Sequence, residues 1–396
     1  MSFLKRIFSL IKRILYTFCN KIRLFFQRFE LTGCYEIREE KKYIFIDVTE
    51  YFINDSGTGI QRVVKNVVEK IHKTQTEYEI REIYLNKYKG YFYCDTNEKV
   101  IFSKDDIFLG LDLIWYKFRF VKNYVDYIYK HGVKVWFFVY DLIPLLIKEE
   151  SDKYSRKEFS YWLQHVLKYT GVITDSKAII DDIKNWISNN PKMKVNPDIK
   201  YRYAYLGVDF SDKKISVDYK QLSDGVTFLM VSTLAYRKKF DQVVNAFNIL
   251  WDKGINVKLN LVGRPHYHKY TELINSNGYL NKKLFWYNNG INDDELIKLY
   301  SDSDAVIFAS ISEGFGLSLI EASYYKKPLI IRDIPVFREI AGDNAFYFSG
   351  LSAEELADKI EEWLSLYKAG KHPLSQIQYL SWDECAENIY NIITQE

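Results

Sequence analysis

The stretch DAVIFASISEGFGLSLIEA, residues 304–322, decides the fold class. Its first part is a short apolar run that reads as a strand, and its last part opens a helix. Between them, Gly314 and Gly316 let the backbone come close to a ligand, and the start of the helix points free N–H groups outward, a natural place for a phosphate. Glu313 and Glu321 stand eight residues apart, a span of ~12 Å if all of it were helical. That is too long for two carboxylates sharing one proton. It suits groups that contact different ends of an extended ligand.

Outward from this stretch the chain repeats the same alternation. Upstream, YIFIDV (43–48), DIFLGLD (106–112), VKVWFFVYD (133–141) and GVITDS (171–176) read as strands, with helical patterns over 60–71, 117–130 and 154–169. A polar segment, 209–224, reads as a linker. After it the pattern restarts with strands VTFLMVS (226–232), VKLNLVG (257–263), KLFWYN (283–288) and PLIIRD (328–333), and helices over 240–253 and 293–301. Strand–helix alternation implies βαβ units and parallel sheets. Two such halves joined by a linker predict an α/β protein with an interdomain cleft, a favoured place for ligands.

Charge is uneven along the 396 residues. The net charge of +3 hides an arm, residues 1–30, that holds Lys5, Arg6, Lys12, Arg13, Lys21, Arg23 and Arg28 against the single acid Glu30. The remainder is slightly acidic, which argues against a nucleic-acid partner. Apolar pairs such as Ile7/Phe8, Ile14/Leu15 and Phe25/Phe26 recur at helical spacing between the basic residues, so the arm is expected to be an amphipathic helix lying on the anionic inner leaflet of a membrane. The alternative is a helix packed on protein. No uncharged run reaches the ~18 residues of a spanning helix, and no cleavable leader pattern is present. Cys19, Cys34, Cys94 and Cys385 form no C-x-x-C pair, which fits a reducing cytosol.

The spacing E-G-F-G-x-x-x-x-E at 313–321 resembles the hallmark of glycosyltransferase family 4. FLMVSTLAYRKKFDQVVNAFNIL (228–250), LNLVGR (259–264), NDDELIKLYSDSDAVIFAS (292–310) and PLIIRDIPVFREIAGDNAFYF (328–348) resemble that family's donor-domain landmarks in order. DSGTGIQRVVKN (55–66), YDLIPL (140–145), ITDS (173–176) and YLGVD (205–209) resemble those of its first domain. TGIQRV together with IPVFREIAGD looks most like bacterial O-antigen and capsule mannosyltransferases. The resemblance implies a GT-B fold, two Rossmann-like domains facing across a cleft. The boundaries expected are an arm at 1–40, an acceptor domain at 41–210, a nucleotide-sugar domain at 211–380, and a terminal helix, 381–396, crossing back to the first domain.

The resemblance also assigns roles. Glu313 would stabilise positive charge at the donor's anomeric carbon, and Arg237 and Lys238 would clamp the diphosphate, with Asp141 completing the catalytic set. Glu321 would bind ribose, and Gly314, the amides of Phe315, Gly316 and Leu317, together with Gly59, Ser232, Thr233 and Gly263, would line the donor. Gln61, Arg62 and Tyr140 would face the acceptor. The family acts with retention of configuration and without an essential metal, so neither cofactor nor metal is expected. The expected reaction moves a hexose, mannose from GDP-mannose, onto a glycan or lipid-linked acceptor in surface polysaccharide synthesis, at the cytoplasmic face of the membrane. UDP- or dTDP-sugar donors, or a non-catalytic nucleotide-binding scaffold, are the alternatives. The chain departs from the family pattern at Ser232, where many relatives have Gly, at Ala235-Tyr236, where many have E-P, and at Tyr140, where many have His.

Taken singly, these features have plainer readings. Gly57-Thr58-Gly59 alone is a turn, Arg237-Lys238-Lys239 alone a solvated helix start, and Glu321 alone a surface residue. His266 and His268 lack the partners of a metal site, Trp382 reads as packing, and Ser176 lacks the partners of a hydrolytic nucleophile.

Overall fold

The computed structural model describes residues 33–395 apart from 40, 56, 75, 87, 88, 210–224 and 289. The expected amphipathic arm over residues 1–30, and nearly all of the linker segment 209–224, lie outside the described residues.

Seven strands form the first sheet: β1 (Tyr43–Asp47), β2 (Glu79–Asn86), β3 (Gly90–Tyr93), β4 (Ile107–Gly110), β5 (Lys134–Val139), β6 (Gly171–Thr174) and β7 (Lys200–Tyr203). Their order is β3-β2-β1-β4-β5-β6-β7. The second sheet holds β8 (Val226–Val231), β9 (Val257–Val262), β10 (Leu284–Tyr287), β11 (Ala305–Phe308), β12 (Leu329–Arg332) and β13 (Phe346–Phe348), in the order β10-β9-β8-β11-β12-β13. All neighbours in it are parallel. Among the described strands of the first sheet only β2–β3 is antiparallel, with Ile83 opposite Tyr93. β4, β6, β11 and β12 are buried at every position, the mark of parallel strands covered on both faces by helices.

The sequence reading missed β2, β3, β7 and β13. β2, EIREIYLN, interleaves charges with apolar residues and buries only Ile80, Ile83 and Leu85, β7 is half exposed, and β13 has three residues. None carries the unbroken apolar run of a central strand.

In both sheets the strand order reverses beside the first strand, between β1 and β4 and between β8 and β11. Loops leaving the carboxyl ends of strands at such a point diverge and leave a crevice for ligand. The residues singled out at 232–238 and 311–316 follow β8 and β11.

One apolar core lies on the outer face of each sheet, around Phe108, Phe137 and Trp162 in the first and Phe228, Phe247 and Trp363 in the second. A third core is continuous through both domains and joins Val64, Tyr140 and Leu206 to Phe308, Phe315 and Leu319. The last helix, Trp382–Thr394, belongs to it. Trp382, Cys385, Ile389 and Ile393 are buried beside Val64, Val67, Val68 and Ile71 of the helix Gly59–Ile71 in the first domain. Burial of such side chains stabilises by ~1.5–3 kcal/mol each. Tyr390 donates its hydroxyl proton to Thr76 Oγ1 (2.6 Å), and Lys70 pairs with Asp383 (3.2 Å). The chain's end thus fastens the second domain onto the first.

Candidate active site

Arg237 and Lys238 lie on a single 3-10 turn, Tyr236–Lys238, between β8 and the helix Phe240–Asp252. They are not a solvated helix start. Lys239 adopts the left-handed conformation (φ 50°), which ends the turn and lets both preceding side chains face inward. The Arg237 Nη1 donates to Glu313 Oε2 (2.7 Å), and the Lys238 ammonium is bonded to Glu313 Oε1. The Arg237 carbonyl accepts from the Ile311 amide (2.8 Å), which locks the turn to the loop carrying Glu313. The Glu313 side chain is only 9% exposed. Burial alone would raise its pKa, yet the two cations reverse this and hold it at about 2. Burial lowers the pKa of Lys238, although Glu313 opposes that shift. The outcome is a carboxylate kept ionised between two cations at the crevice.

Glu313 precedes the helix Leu317–Tyr324, whose cap is Gly316 at φ 94°. A β-carbon is strained in that backbone conformation. The amides of Phe315, Gly316 and Leu317 therefore lie at the N-terminal mouth of this helix, where no intrahelical carbonyl serves them. The Phe315 ring is buried against Tyr205 (centroids 6.0 Å). Gly314 meets the first domain: a β-carbon there would run into the Tyr140 carbonyl and stand 2.9 Å from Asp175 Oδ2. One cavity opens beside the loop and another beside the helix that follows it. One, of about 170 Å³, is lined by Leu146, Ile179, Asp182, Ser312, Glu313 and Pro335. The other, of about 340 Å³, is lined by Arg62, Asn66, Asp293, Tyr300, Glu321 and Trp382. The two glutamates thus serve separate spaces.

Other residues singled out from sequence fall as follows. Arg62 reaches across the cleft to Glu321 (Nη2–Oε1 2.7 Å). Asp141 follows β5 and accepts from the Ile143 amide (2.9 Å); lost hydration raises its pKa, offset in part by Arg237. Gly59 opens the helix Gly59–Ile71, with open space where a side chain would be. Ser232 and Thr233 leave the end of β8. The Ser232 amide bonds the Val262 carbonyl (3.0 Å), and its buried hydroxyl has no hydrogen-bond partner among the described residues. Gly263, after β9, abuts the Ser232 carbonyl and accepts from the Trp286 indole (3.1 Å).

Two expectations are corrected. Tyr140 does not present its side chain to an acceptor. The ring is buried in the shared core, its hydroxyl donates to the Leu111 carbonyl (2.9 Å), and only its backbone carbonyl reaches the cleft. Gln61 is likewise consumed locally. It closes a capping box with Thr58, and its Nε2 donates to the Asn54 carbonyl (2.7 Å).

Residues that sequence did not single out complete the cleft. Glu150 accepts from the Arg237 amide (2.6 Å), and Tyr267 donates to the Glu149 carbonyl (3.0 Å). Asp175, after β6, has a fully buried Oδ1 with no hydrogen-bond partner among the described residues. Lost hydration and the neighbouring Asp141 push its pKa well up. Glu339 accepts hydrogen bonds from the amides of Lys177 and Ala178 in the first domain. Nothing in local spacing announces such contacts. Among the described residues no group of three or more His, Cys, Asp or Glu is placed to hold a metal.

Known proteins share this architecture. Residues 212–379 match the family model described as glycosyl transferases group 1. The serotype-specific mannosyltransferase WbdA of Escherichia coli is 35% identical over 376 residues, covering 88% of this chain and 46% of that protein. The chain therefore spans about half the length of the curated relatives it matches. A solved E. coli structure described as trehalose-6-phosphate bound with UDP-2-fluoro glucose superposes with TM-score 0.58 at 11% identity, over 90% of this chain and 99% of that one. Anabaena Alr3699/HepE in complex with UDP and glucose superposes with TM-score 0.57 at 12% identity, over 89% and 95%. At such identities these two speak to the fold alone. The chain thus has the GT-B fold of two Rossmann-like sheets, its second domain matches the group 1 glycosyl transferases, and over most of its length it is similar to the serotype-specific mannosyltransferase WbdA.

Proposed function

We propose that the chain is a retaining glycosyltransferase that moves mannose from GDP-mannose onto a glycan or lipid-linked acceptor in surface polysaccharide synthesis. The observation that carries this reading is the buried Glu313 carboxylate, held between Arg237 and Lys238 at the carboxyl ends of β8 and β11 and facing the first domain. In this reading the two cations take up charge on the departing diphosphate, the electrostatic contribution such a step needs most. Glu313, kept ionised, stabilises the cationic anomeric centre. Glu321 takes the ribose hydroxyls in exchange for Arg62. The donor's own phosphate receives the acceptor proton on the face the diphosphate leaves, so no protein base and no metal is required. The likeness to WbdA supports mannose. Residues 1–30 would hold the enzyme on the anionic inner leaflet from the cytoplasmic side.

The test is a thermal-shift screen with GDP, UDP and dTDP, followed by transfer from the matching nucleotide sugar to lipid-linked acceptors with and without EDTA. GDP at a hundred times its dissociation constant adds ~2.7 kcal/mol of stability. Stabilisation by UDP alone overturns mannose, inversion of the anomeric centre overturns the mechanism, and EDTA sensitivity overturns metal independence. Binding of a nucleotide without turnover of any nucleotide sugar favours a scaffold.

A further inference from the structure

The helix Lys177–Ser188 of the first domain has an unusual start. Ser176 stands at its N-cap position, where a serine ordinarily accepts a hydrogen bond from an amide of the first turn, yet no side-chain cap bond is made. Its hydroxyl instead donates across the cleft to the Gly314 carbonyl (2.9 Å). The cap is supplied by the other domain. Glu339, on the helix Pro335–Ala341, accepts from the Lys177 amide through Oε1 (2.7 Å) and from the Ala178 amide through Oε2 (2.8 Å). The Tyr205 hydroxyl donates to the same Oε1 (2.9 Å), and the Tyr205 ring packs against Phe315.

We infer that Glu339 and Ser176 are positioning residues that latch the two domains together and set the loop carrying Glu313. Each side of the latch completes what the other lacks. The helix start offers unpaired amides and a partial positive charge, and Glu339 supplies the matching anion. The carbonyl taken by Ser176 belongs to Gly314, directly after Glu313. Separating the domains removes the helix cap and frees the signature loop in one movement. When they close, the carboxylate at 313 is registered against Asp141 and Asp175. Neither residue touches the donor in this assignment; both act through the placement of residues 313–316. The catalytic half of the inference rests on the transferase reading, while the latch itself does not.

The experiment compares the full chain with Glu339→Ala, Glu339→Gln and Ser176→Ala. Amide hydrogen exchange at Lys177 and Ala178 and small-angle scattering report the latch. GDP affinity and the kinetics of sugar transfer report its use. For Glu339→Ala, exchange at both amides accelerates about tenfold and the radius of gyration increases. GDP affinity stays unchanged, and kcat falls about tenfold while KM for the donor holds. Glu339→Gln, which keeps one acceptor oxygen, recovers part of each change. Ser176→Ala lowers kcat without accelerating exchange at Ala178. Unchanged exchange and scattering in Glu339→Ala overturn the latch, and so does a loss of kcat that merely follows lost melting temperature. If the parent chain transfers no sugar from any nucleotide donor, the transferase reading fails, and exchange and scattering still decide the latch.

Discussion

Gly314→Ala tests how closely the two domains must meet. The glycine's own backbone conformation is open to alanine, since its φ is not in the left-handed region. The obstacle lies across the cleft. The added methyl group would overlap the Tyr140 carbonyl and sit 2.9 Å from Asp175 Oδ2. Tyr140 cannot yield by rotating a side chain, because the clashing atom is main chain at the end of a strand whose neighbours are buried. An ordinary carbon–oxygen contact needs about 3.3 Å, so the loop and the strand end must part by roughly 1 Å. Overpacking of this kind costs ~1–3 kcal/mol, enough to lower the closed population by about 5- to 150-fold. A misplacement of about 1 Å at reacting groups slows chemistry by ~10²-fold. On the proposed reading, in which Arg237, Lys238 and Glu321 hold GDP, the variant is expected to bind GDP as the parent does and to lose about two orders of magnitude in kcat. Calorimetric titration with GDP and steady-state transfer kinetics provide the measurement, with scattering to show the wider cleft. A Gly314→Ala chain with parental kcat and parental scattering refutes the close approach and the reasoning built on it.

Other perturbations give distinct outcomes. Glu313→Gln leaves Arg237 and Lys238 buried without their anion and lowers stability near pH 7 by ~3–5 kcal/mol. Since the parent carboxyl is held at about 2 against an ordinary 4.5, its contribution is present above pH 4.5 and is lost as pH falls toward 2. Urea unfolding at pH 7, 4.5 and 3.5 therefore finds the gap between parent and variant narrowing with acidity, and a constant gap contradicts the assignment. On the proposed reading Lys238→Met removes one of the two cations that take up charge on the diphosphate and reduces kcat by ~10²–10³-fold, read from initial rates, with the fold intact by circular dichroism. Trp382→Ala empties a buried site between the domains and costs ~3–5 kcal/mol; calorimetry on parent and variant is expected to show the two domains melting further apart in the variant, and an unchanged profile contradicts the fastening by the helix Trp382–Thr394.

Much of this was legible in the chain because the central strands are continuous apolar runs and the 313–321 stretch carries its own spacing. Glu313, Arg237 and Lys238 converge because each follows a strand at the switch point of one sheet, a placement that strand–helix alternation anticipates. The first-domain side of the cleft was harder. Whether Tyr140 turns its ring toward the cleft or the core depends on a carbonyl at Leu111, 29 residues away. Glu339 reads as one more charge on a short helix until the fold brings it to Lys177, 162 residues distant. Contacts between domains leave no local periodicity, so the residues that join the halves are the ones sequence conceals.

The continuous core shared by Val64, Phe315, Trp382 and Ile389 bears on how such chains diversify. The second half could be exchanged between relatives by recombination only if it arrived with a last helix whose apolar stripe fits the host's Gly59–Ile71 surface. A crossover placed in the 210–224 segment would graft a foreign closing helix onto that surface and leave Trp382 or its counterpart without a seat. Fusions that retain the host's residues 381–395 while importing only 225–370 respect the boundary that packing draws. The inheritable module in this architecture is accordingly an insert, flanked on both sides by the half it serves.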